Sequence, residues 1–181
     1  LATSLTLLSA KNHYYRGAPE TAASVLEDLR SRPATVMDDG QRMEAALLLG
    51  EIACEDGRLD LARQQLETAQ RLQIGLPEHP GLDRLGGSVS AKEGDYARAA
   101  AAHEREAQIY RSYGLYRTMA SALMRAGDNY AKLGDLRTAF DRHYRASVSF
   151  FEQSRFSAAK EALQRAEACA EASADPWLRD R

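Results

Sequence analysis

The 181-residue sequence has few of the residues that interrupt helices or build disulfide frameworks. It contains five prolines, two cysteines and one tryptophan. Cys54 and Cys169 are far apart and form no C-x-x-C pair, so we expect no disulfide framework and no cysteine zinc site. Both are expected to pack as small apolar residues. No run of about 20 apolar residues occurs, so we expect no membrane span.

The sequence also lacks an excess of charge of one sign. Its 24 Lys and Arg residues nearly balance its 26 Asp and Glu residues, for a net charge of −2. This balance gives no overall field to attract phosphates and argues against a nucleic-acid binder. With 44 % hydrophobic residues, the chain is not expected to be disordered. Arg outnumbers Lys twenty to four, a composition associated with GC-rich bacterial genomes.

The residues that are abundant, Ala, Leu, Arg, Gln and Glu, favour helices, and the chain carries an internal repeat. Four turn glycines recur at nearly regular intervals: Gly17, Gly57, Gly94 and Gly134. Small residues precede each by seven positions: Ala10, Gly50, Gly87 and Gly127. Alanines follow each by five: Ala22, Ala62, Ala99 and Ala139. Large residues follow each by nine: Leu26, Leu66, His103 and His143. This spacing predicts stacked helical hairpins.

Each repeated position has a physical reason. The turn glycine can adopt the left-handed conformation that closes a helix, and Asp95 and Asp135 can cap the helix that follows. The small residues let the two helices of a hairpin cross closely, and the large residue fills the space between hairpins.

The pattern resembles the tetratricopeptide repeat, whose consensus is W-x2-L-G-x2-Y followed by A-x3-F. Ala46-x2-Leu49-Gly50-x2-Ala53 with Ala62-x3-Leu66-x2-Ala69 carries the resemblance, and Ala126-Gly127-x2-Tyr130 with Ala139-x3-His143-x2-Ala146 carries it again. The signature Trp is missing, and the period exceeds the usual length of about 34 residues, as in extended repeats of the family. The resemblance implies an all-α fold, a right-handed α-solenoid of about four helical hairpins with a C-terminal capping helix.

Breaks in the apolar pattern predict nine helices, at 2–15, 18–32, 41–56, 58–73, 79–93, 95–113, 116–133, 135–152 and 155–173. A repeat domain over 1–173 would comprise units at about 2–32, 41–73, 79–113 and 116–152, a cap at 155–173 and a tail at 174–181. Because a solenoid must cover its last hairpin, the final helix is expected to bury Phe156, Ala159, Leu163 and Ala166.

No catalytic constellation emerges from the sequence. Ser88, Ser90, Ser121 and Ser147 lack a G-x-S-x-G context. His103 and His143 occupy equivalent positions that we expect to lie about 10 Å apart, too far for one metal ion. A packing role is the favoured interpretation for both, with pH-sensitive packing and metal binding as alternatives. We therefore expect no enzyme, no cofactor and no metal.

The resemblance also implies a concave groove lined by the first helix of each hairpin. Among the groove positions carried over to this chain, those expected to contact a partner are Lys11, Tyr14, Tyr15, Leu47, Glu51, Glu55, Arg84, Ser88, Met124, Asp128 and Lys132. The basic set with which some members grip a carboxylate is not reproduced. A separate group, Tyr110, Tyr113 and Tyr116 beside Arg111 and Arg117, fits either an interface or an ordinary seam between helices.

Together these features predict a non-catalytic scaffold that binds a peptide or helix of another protein. The alternatives are a sensing arm of a larger bacterial signalling or transcription protein, and an envelope assembly factor. The chain begins with Leu1 and not Met, so we expect a processed product or an excised piece. A cytoplasmic location is expected, or a periplasmic or envelope-attached one if a signal peptide lies upstream. The oligomeric state is left open.

Overall fold

The computed structural model describes residues 2–31, 37–173 and 176–179, and within these ranges it contains helices and no strand. The helices are α1 (Ala2–Tyr15), α2 (Pro19–Ser31), α3 (Asp39–Glu55), α4 (Leu59–Leu72), α5 (Pro80–Lys92), α6 (Tyr96–Ser112), α7 (Tyr116–Lys132), α8 (Leu136–Glu152), α9 (Phe156–Ala172) and α10 (Pro176–Arg179). The predicted all-α fold is confirmed. The first nine helices begin and end within two residues of their predicted bounds, except that Arg32 lies outside the described residues. The short α10 falls in the segment predicted as a tail.

The chain forms two compact units, Leu1–Val89 and Ser90–Arg181, here called unit 1 and unit 2. In unit 1, α3 is buried on two faces. Ala45, Leu48 and Ile52 join the apolar residues of α1 and α2, whereas Ala46 and Ala53 join those of α4 and α5. A helix that is apolar all round is typical of such a buried position. The run of apolar residues from 45 to 49 therefore reflects packing between two hairpins.

Unit 2 has a more regular backbone than the sequence indicated. Helices α6, α7, α8 and α9 are equal in length, at 17 residues each. They begin at a constant spacing, at Tyr96, Tyr116, Leu136 and Phe156, and consecutive helices pack against each other. The connection before each helix contains a residue of positive φ, including Gly114 (70°), Gly134 (80°) and Ser154 (58°). In unit 2, each repeat found in the sequence thus consists of two similar halves of equal length, and each half is one helix with its turn.

The predicted helix caps of unit 2 are confirmed. The Asp95 carboxylate accepts a hydrogen bond from the Arg98 amide at 3.0 Å, and that of Asp135 accepts one from the Thr138 amide at 3.1 Å. These bonds satisfy amides that have no partner inside the helix. Unit 1 has a cap that was not predicted from the sequence, a reciprocal pair between Asp38 and Gln41 at the start of α3.

Gly127 and Gly50, two small positions of the repeat, are places of close approach. The neighbour of Gly127 lies on the second helix of its hairpin, as predicted, whereas the nearest side chain to Gly50 lies on α5. A Cβ built on Gly127 would lie 2.7 Å from Cε1 of His143, and one on Gly50 would lie 2.5 Å from Cδ2 of Leu85. Neither side chain has room to withdraw without repacking, because His143 and Leu85 are both buried. A side chain at either position would therefore force its neighbour to shift.

The predicted buried stripe of the last helix is wrong at two of its four positions. Ala159 and Ala166 are buried, but Phe156 is 61 % exposed and Leu163 is 40 % exposed. The buried face of α9 consists of small residues, Ala159, Ala162, Ala166 and Cys169. Small side chains let α9 pack closely against α8, which leaves the large residues at the edges of the contact.

Candidate functional site

In unit 1, polar side chains of α1, α3 and α5 meet on one surface. The Tyr14 hydroxyl donates a hydrogen bond to Oε1 of Glu55 at 2.5 Å, and Nε of Arg84 donates one to Oε1 of Glu51 at 2.6 Å. Glu51 and Glu55 are one turn apart and project from the same side of α3. Four of the residues predicted to line the groove are therefore brought together.

Lys11 extends this surface through an ion pair with Glu44, at 3.2 Å from Nζ to Oε1. Burial raises the pKa of Tyr14 above its ordinary value, and the hydrogen bond to Glu55 raises it further. Burial lowers the pKa of the nearby His79, against the effect of Glu44. The unit 1 surface is thus a network of mutually satisfied charges, with a phenol that stays protonated at neutral pH.

The other predicted groove residues of unit 1 have different environments. Leu47 is buried in the apolar core, where a partner would not reach it. Ser88 is half-buried, and Tyr15 is exposed with its ring centroid 5.3 Å from that of Tyr14. Of these three residues, only Tyr15 offers a large exposed apolar surface.

Unit 2 has a cleft of about 500 Å³ between α7 and α9. Its lining combines four arginines, two carboxylates, two hydroxyls and three apolar side chains: Arg117, Arg125, Arg155, Arg165, Asp128, Glu161, Thr118, Ser121, Met124, Phe150 and Ala158. We call it the arginine cleft. Met124 and Asp128 were predicted to face a groove and do line this cleft. Lys132 lies elsewhere, with Nζ 5.0 Å from the centroid of the Tyr96 ring.

The arginine cleft carries an excess of positive charge. Nη1 of Arg165 donates to both carboxylate oxygens of Asp128, at 2.7 and 2.6 Å, and Nη2 donates to Glu161 at 2.7 Å. In the described part of the chain, Arg117 and Arg155 make no ion pair, and both side chains are exposed. Two cations at the cleft therefore remain available to an anionic group.

Arg125 connects the cleft to a buried polar cluster. Its Nη2 donates to Oε1 of Glu106 at 2.7 Å, and Nδ1 of His103 lies 3.0 Å from Oε2 of the same carboxylate. Burial by itself would raise the pKa of Glu106, but the hydrogen bonds from His103 and Arg125 hold it below its ordinary value. Glu106 is therefore an ionised structural group that fixes Arg125.

His143 occupies the corresponding place one hairpin later. Its Nε2 lies 3.5 Å from Oδ1 of Asp128, and burial lowers its pKa. Nδ1 of this ring is buried and has no hydrogen-bond partner among the described residues. Both equivalent histidines are thus buried next to carboxylates. Across residues 2–31, 37–173 and 176–179, no three His, Cys, Asp or Glu side chains are grouped so as to hold a metal ion.

The four arginines of the cleft were not among the residues that the sequence analysis expected to contact a partner. Arg125 and Arg165 occupy equivalent positions of successive repeats, one full period apart, and that spacing was a signal that could have identified them. Arg117 was noted only as a neighbour of the tyrosine group. In that group Tyr113 and Tyr116 are exposed, and Tyr110 is half-buried.

Comparisons with known proteins identify the class of fold. No family model matches the chain, and no curated protein sequence matches it. Solved structures do match, and they are helical-repeat proteins of the tetratricopeptide type. At the low sequence identities involved, the likeness shows the fold alone.

Three of these structures can be described in more detail. The apo form of RapI is similar with a TM-score of 0.71 and 15 % identity; the match covers 93 % of this chain and 64 % of RapI. BtubC from P. vanneervenii gives a TM-score of 0.60 and 18 % identity over 94 % of this chain and 77 % of its own. MamA (AMB-1) gives a TM-score of 0.51 and 18 % identity, over 98 % of this chain and 96 % of its own. This chain thus spans less than two thirds of RapI.

None of the described helices has both the length and the apolar character needed to cross a bilayer.

Proposed function

We propose that this chain is a non-catalytic binding module that holds a segment of another protein in the arginine cleft of unit 2. The single observation that carries the proposal is the composition of this cleft. Four arginines line the cleft together with the half-buried Met124, above the buried Phe150, and this mixture suits a segment that has both anionic and apolar side chains.

The charge of the cleft favours an acidic segment. Arg117 and Arg155 have no acidic partner in the described chain, so a carboxylate placed between them would gain two charge-assisted hydrogen-bond donors. Arg125 and Arg165 are held in place by Glu106 and Asp128. Fixed arginines lose less conformational freedom on binding than free ones.

The hydroxyls of the cleft add to this preference. Thr118 and Ser121 lie on α7 between Arg117 and Arg125, and each hydroxyl donates to a backbone carbonyl of its own helix or its N-terminal cap. Their oxygens can also accept hydrogen bonds from the backbone of a bound segment. A volume of about 500 Å³ accommodates a few side chains of such a segment, not a folded domain.

Fluorescence anisotropy with a labelled peptide tests the proposal. The probe is a 12-residue peptide with alternating Glu and Leu, compared with a twin in which Gln replaces Glu. We expect the Glu peptide to bind more tightly and the Arg117→Gln/Arg155→Gln variant to weaken its binding about 5- to 10-fold. A control for the loss of a single positive charge elsewhere is Arg98→Gln, at an exposed arginine of α6 outside the cleft.

Salt provides a second criterion. Because the proposed contacts are between exposed charges, raising NaCl from about 50 to 500 mM should reduce the difference between the two peptides. The arginine cleft would be ruled out as the binding surface if the Glu and Gln peptides bound with equal affinity. It would also be ruled out if Arg98→Gln weakened binding of the Glu peptide as much as Arg117→Gln/Arg155→Gln does.

A further inference from the structure

A second cleft of unit 2 lies on another side of α9. It has a volume of about 630 Å³ and is formed by α8, α9 and α10. Its lining is mostly apolar with two carboxylates at the edge: Phe140, Tyr144, Leu163, Ala170, Leu178, Glu167 and Glu171. We call it the acidic-rimmed cleft. Among the described residues, the two clefts have no lining residue in common.

One wall of this cleft is a pair of aromatic rings on α8. The rings of Phe140 and Tyr144 are stacked, with centroids 6.0 Å apart and planes 3° apart. Tyr144 is 47 % exposed, and Leu163 faces the same cleft from α9 with 40 % of its surface exposed. Leu178 of α10 is buried and helps to form the floor. Large apolar side chains are thus presented to solvent around a concave surface, as at many interaction sites.

The rim supplies negative charge from two glutamates. Glu167 and Glu171 are exposed and one turn apart on α9, and neither makes an ion pair within the described part of the chain. Two like charges at this spacing destabilise an isolated helix slightly, so a nearby cation would relieve their repulsion. Tyr144, which is 47 % exposed, is a second attractive position for a cation.

We infer that the acidic-rimmed cleft docks a segment of a partner protein in which an apolar side chain is flanked by Arg or Lys. The apolar side chain would pack between Leu163 and the aromatic wall, and the flanking cations would pair with Glu167 and Glu171. This site is independent of the proposed arginine cleft and selects the opposite charge. The two sites would allow unit 2 to hold two chemically different segments.

Anisotropy of labelled peptides tests this inference directly. The probe is a 15-residue peptide with Leu, Phe and Leu at helical spacing and four flanking Arg residues. Its twin has Gln in place of each Arg, which avoids an acidic peptide that the arginine cleft could bind. At about 50 mM NaCl we expect the Arg peptide to bind at least 10-fold more tightly than the Gln twin, with a smaller ratio at about 500 mM.

Two variants separate the rim from the wall. Glu167→Gln/Glu171→Gln should weaken binding of the Arg peptide about 5- to 10-fold and leave the Gln twin unaffected. Tyr144→Ala should weaken both peptides, because it removes the apolar wall. The matched control is Glu20→Gln/Glu27→Gln, which removes the same charge from exposed positions of α2 in unit 1. Circular dichroism confirms that each variant is folded.

The outcomes distinguish this site from the proposed function. Arg117→Gln/Arg155→Gln should leave the Arg peptide unaffected, whatever its effect on acidic peptides. Equal binding of the Arg peptide and its twin, or equal weakening by the α2 control, would overturn the inference. It would also be overturned if sedimentation showed a dimer that Leu163→Asp converts to a monomer, because a second copy would then be the occupant.

Discussion

The two units fill equivalent positions of their cores with different chemistry. In unit 1 the layer between α4 and α5 is apolar: Leu66, Ala69 and Leu85 belong to one cluster. In unit 2 the equivalent positions, measured from the turn glycines, are His103, Glu106 and Arg125, which are joined by hydrogen bonds. The same helical framework therefore accepts either an apolar layer or an ionic one.

A similar ionic layer occurs where α7, α8 and α9 of unit 2 meet. His143 and Arg165 follow His103 and Arg125 by one repeat period. The side chains of His143 and Arg165 both contact the carboxylate of Asp128, which belongs to α7. The carboxylate thus comes from a different helix position in each layer, whereas the histidine and the arginine keep theirs. What recurs is the requirement that a buried histidine and an arginine share one carboxylate.

The difference in core composition between the two units explains why the candidate clefts are concentrated in unit 2. Its core residues are mostly alanines, with buried His103, Glu106 and His143 among them. Alanine cores leave the large and charged side chains at the edges of the helix contacts, where they line clefts. In unit 1, by contrast, buried leucines and two methionines share the core with the alanines, and the polar surface is already paired.

The largest effect is expected from breaking the ionic layer at its centre. Glu106→Ala should lower the free energy of unfolding by about 2–4 kcal/mol, because His103 and Arg125 lose their common acceptor. The cost is below that of a fully buried pair, since the Arg125 side chain is 35 % exposed. Urea denaturation followed by circular dichroism measures it.

Converting the whole layer to its unit 1 counterpart provides the control. The triple variant His103→Leu/Glu106→Ala/Arg125→Leu reproduces Leu66, Ala69 and Leu85 and leaves no unpaired charge. Its stability should therefore return to within about 1 kcal/mol of the parent or exceed it. A triple variant as unstable as Glu106→Ala would show that the two layers are not interchangeable.

The next effect separates two helical glycines. Gly127→Ala should cost about 1–3 kcal/mol, because the new methyl group would overlap the buried His143 ring. Gly86→Ala, in α5 of unit 1, should be neutral or stabilising by up to about 1 kcal/mol, because the nearest neighbouring atom, Cδ2 of Leu66, is 3.8 Å from the built Cβ. Thermal melting of both variants measures the contrast, and equal shifts would contradict the close crossing of α7 and α8.

A smaller effect depends on pH. The folded chain lowers the pKa of His143, so the unfolded chain takes up this proton first, and stability falls as the pH drops through the ordinary value of 6.5. His143→Gln should flatten this decline between about pH 7.5 and 5.5, measured by urea denaturation at each pH.

Two other titratable side chains, His79 and Glu106, also contribute to the pH dependence of stability. His79 of unit 1 also has a lowered pKa and contributes in the same direction, so His79→Gln should remove a separate part of the decline. Glu106 has a lowered pKa, so its contribution is lost only as the pH falls below its ordinary value of 4.5. An unchanged slope in His143→Gln would mean that this histidine titrates equally in both states.

The smallest effect is expected in the paired surface of unit 1. Tyr14→Phe removes the hydrogen bond to Glu55 and should cost about 0.5–1.5 kcal/mol. Tyr15→Phe, on the exposed neighbour, should change stability by less than about 0.5 kcal/mol. Chemical denaturation compares the two, and a larger loss for Tyr15→Phe would reverse the assignment of the paired hydroxyl.

The sequence predicted the helices well because their signals are local. Turn glycines such as Gly134 adopt positive φ, and Asp95 and Asp135 cap the helices that follow them, so each helix is delimited by its own neighbours in the chain. The groove residues of unit 1 were predicted from the repeat register. Leu47 shows the limit of that register, because burial depends on which hairpin packs against α3.

By itself, the sequence therefore determined the helical class, the hairpin register and the close contacts at its glycines, all of which follow from backbone conformation and side-chain size. Only the tertiary structure decided that Arg125 meets Glu106, that Arg165 meets Asp128, and that Leu163 remains at the edge of a cleft. Helical spacing fixes the side of a helix from which a side chain projects. The partner of a long charged side chain is fixed by how neighbouring helices pack, and here by the small alanine contacts that bring α7, α8 and α9 close together.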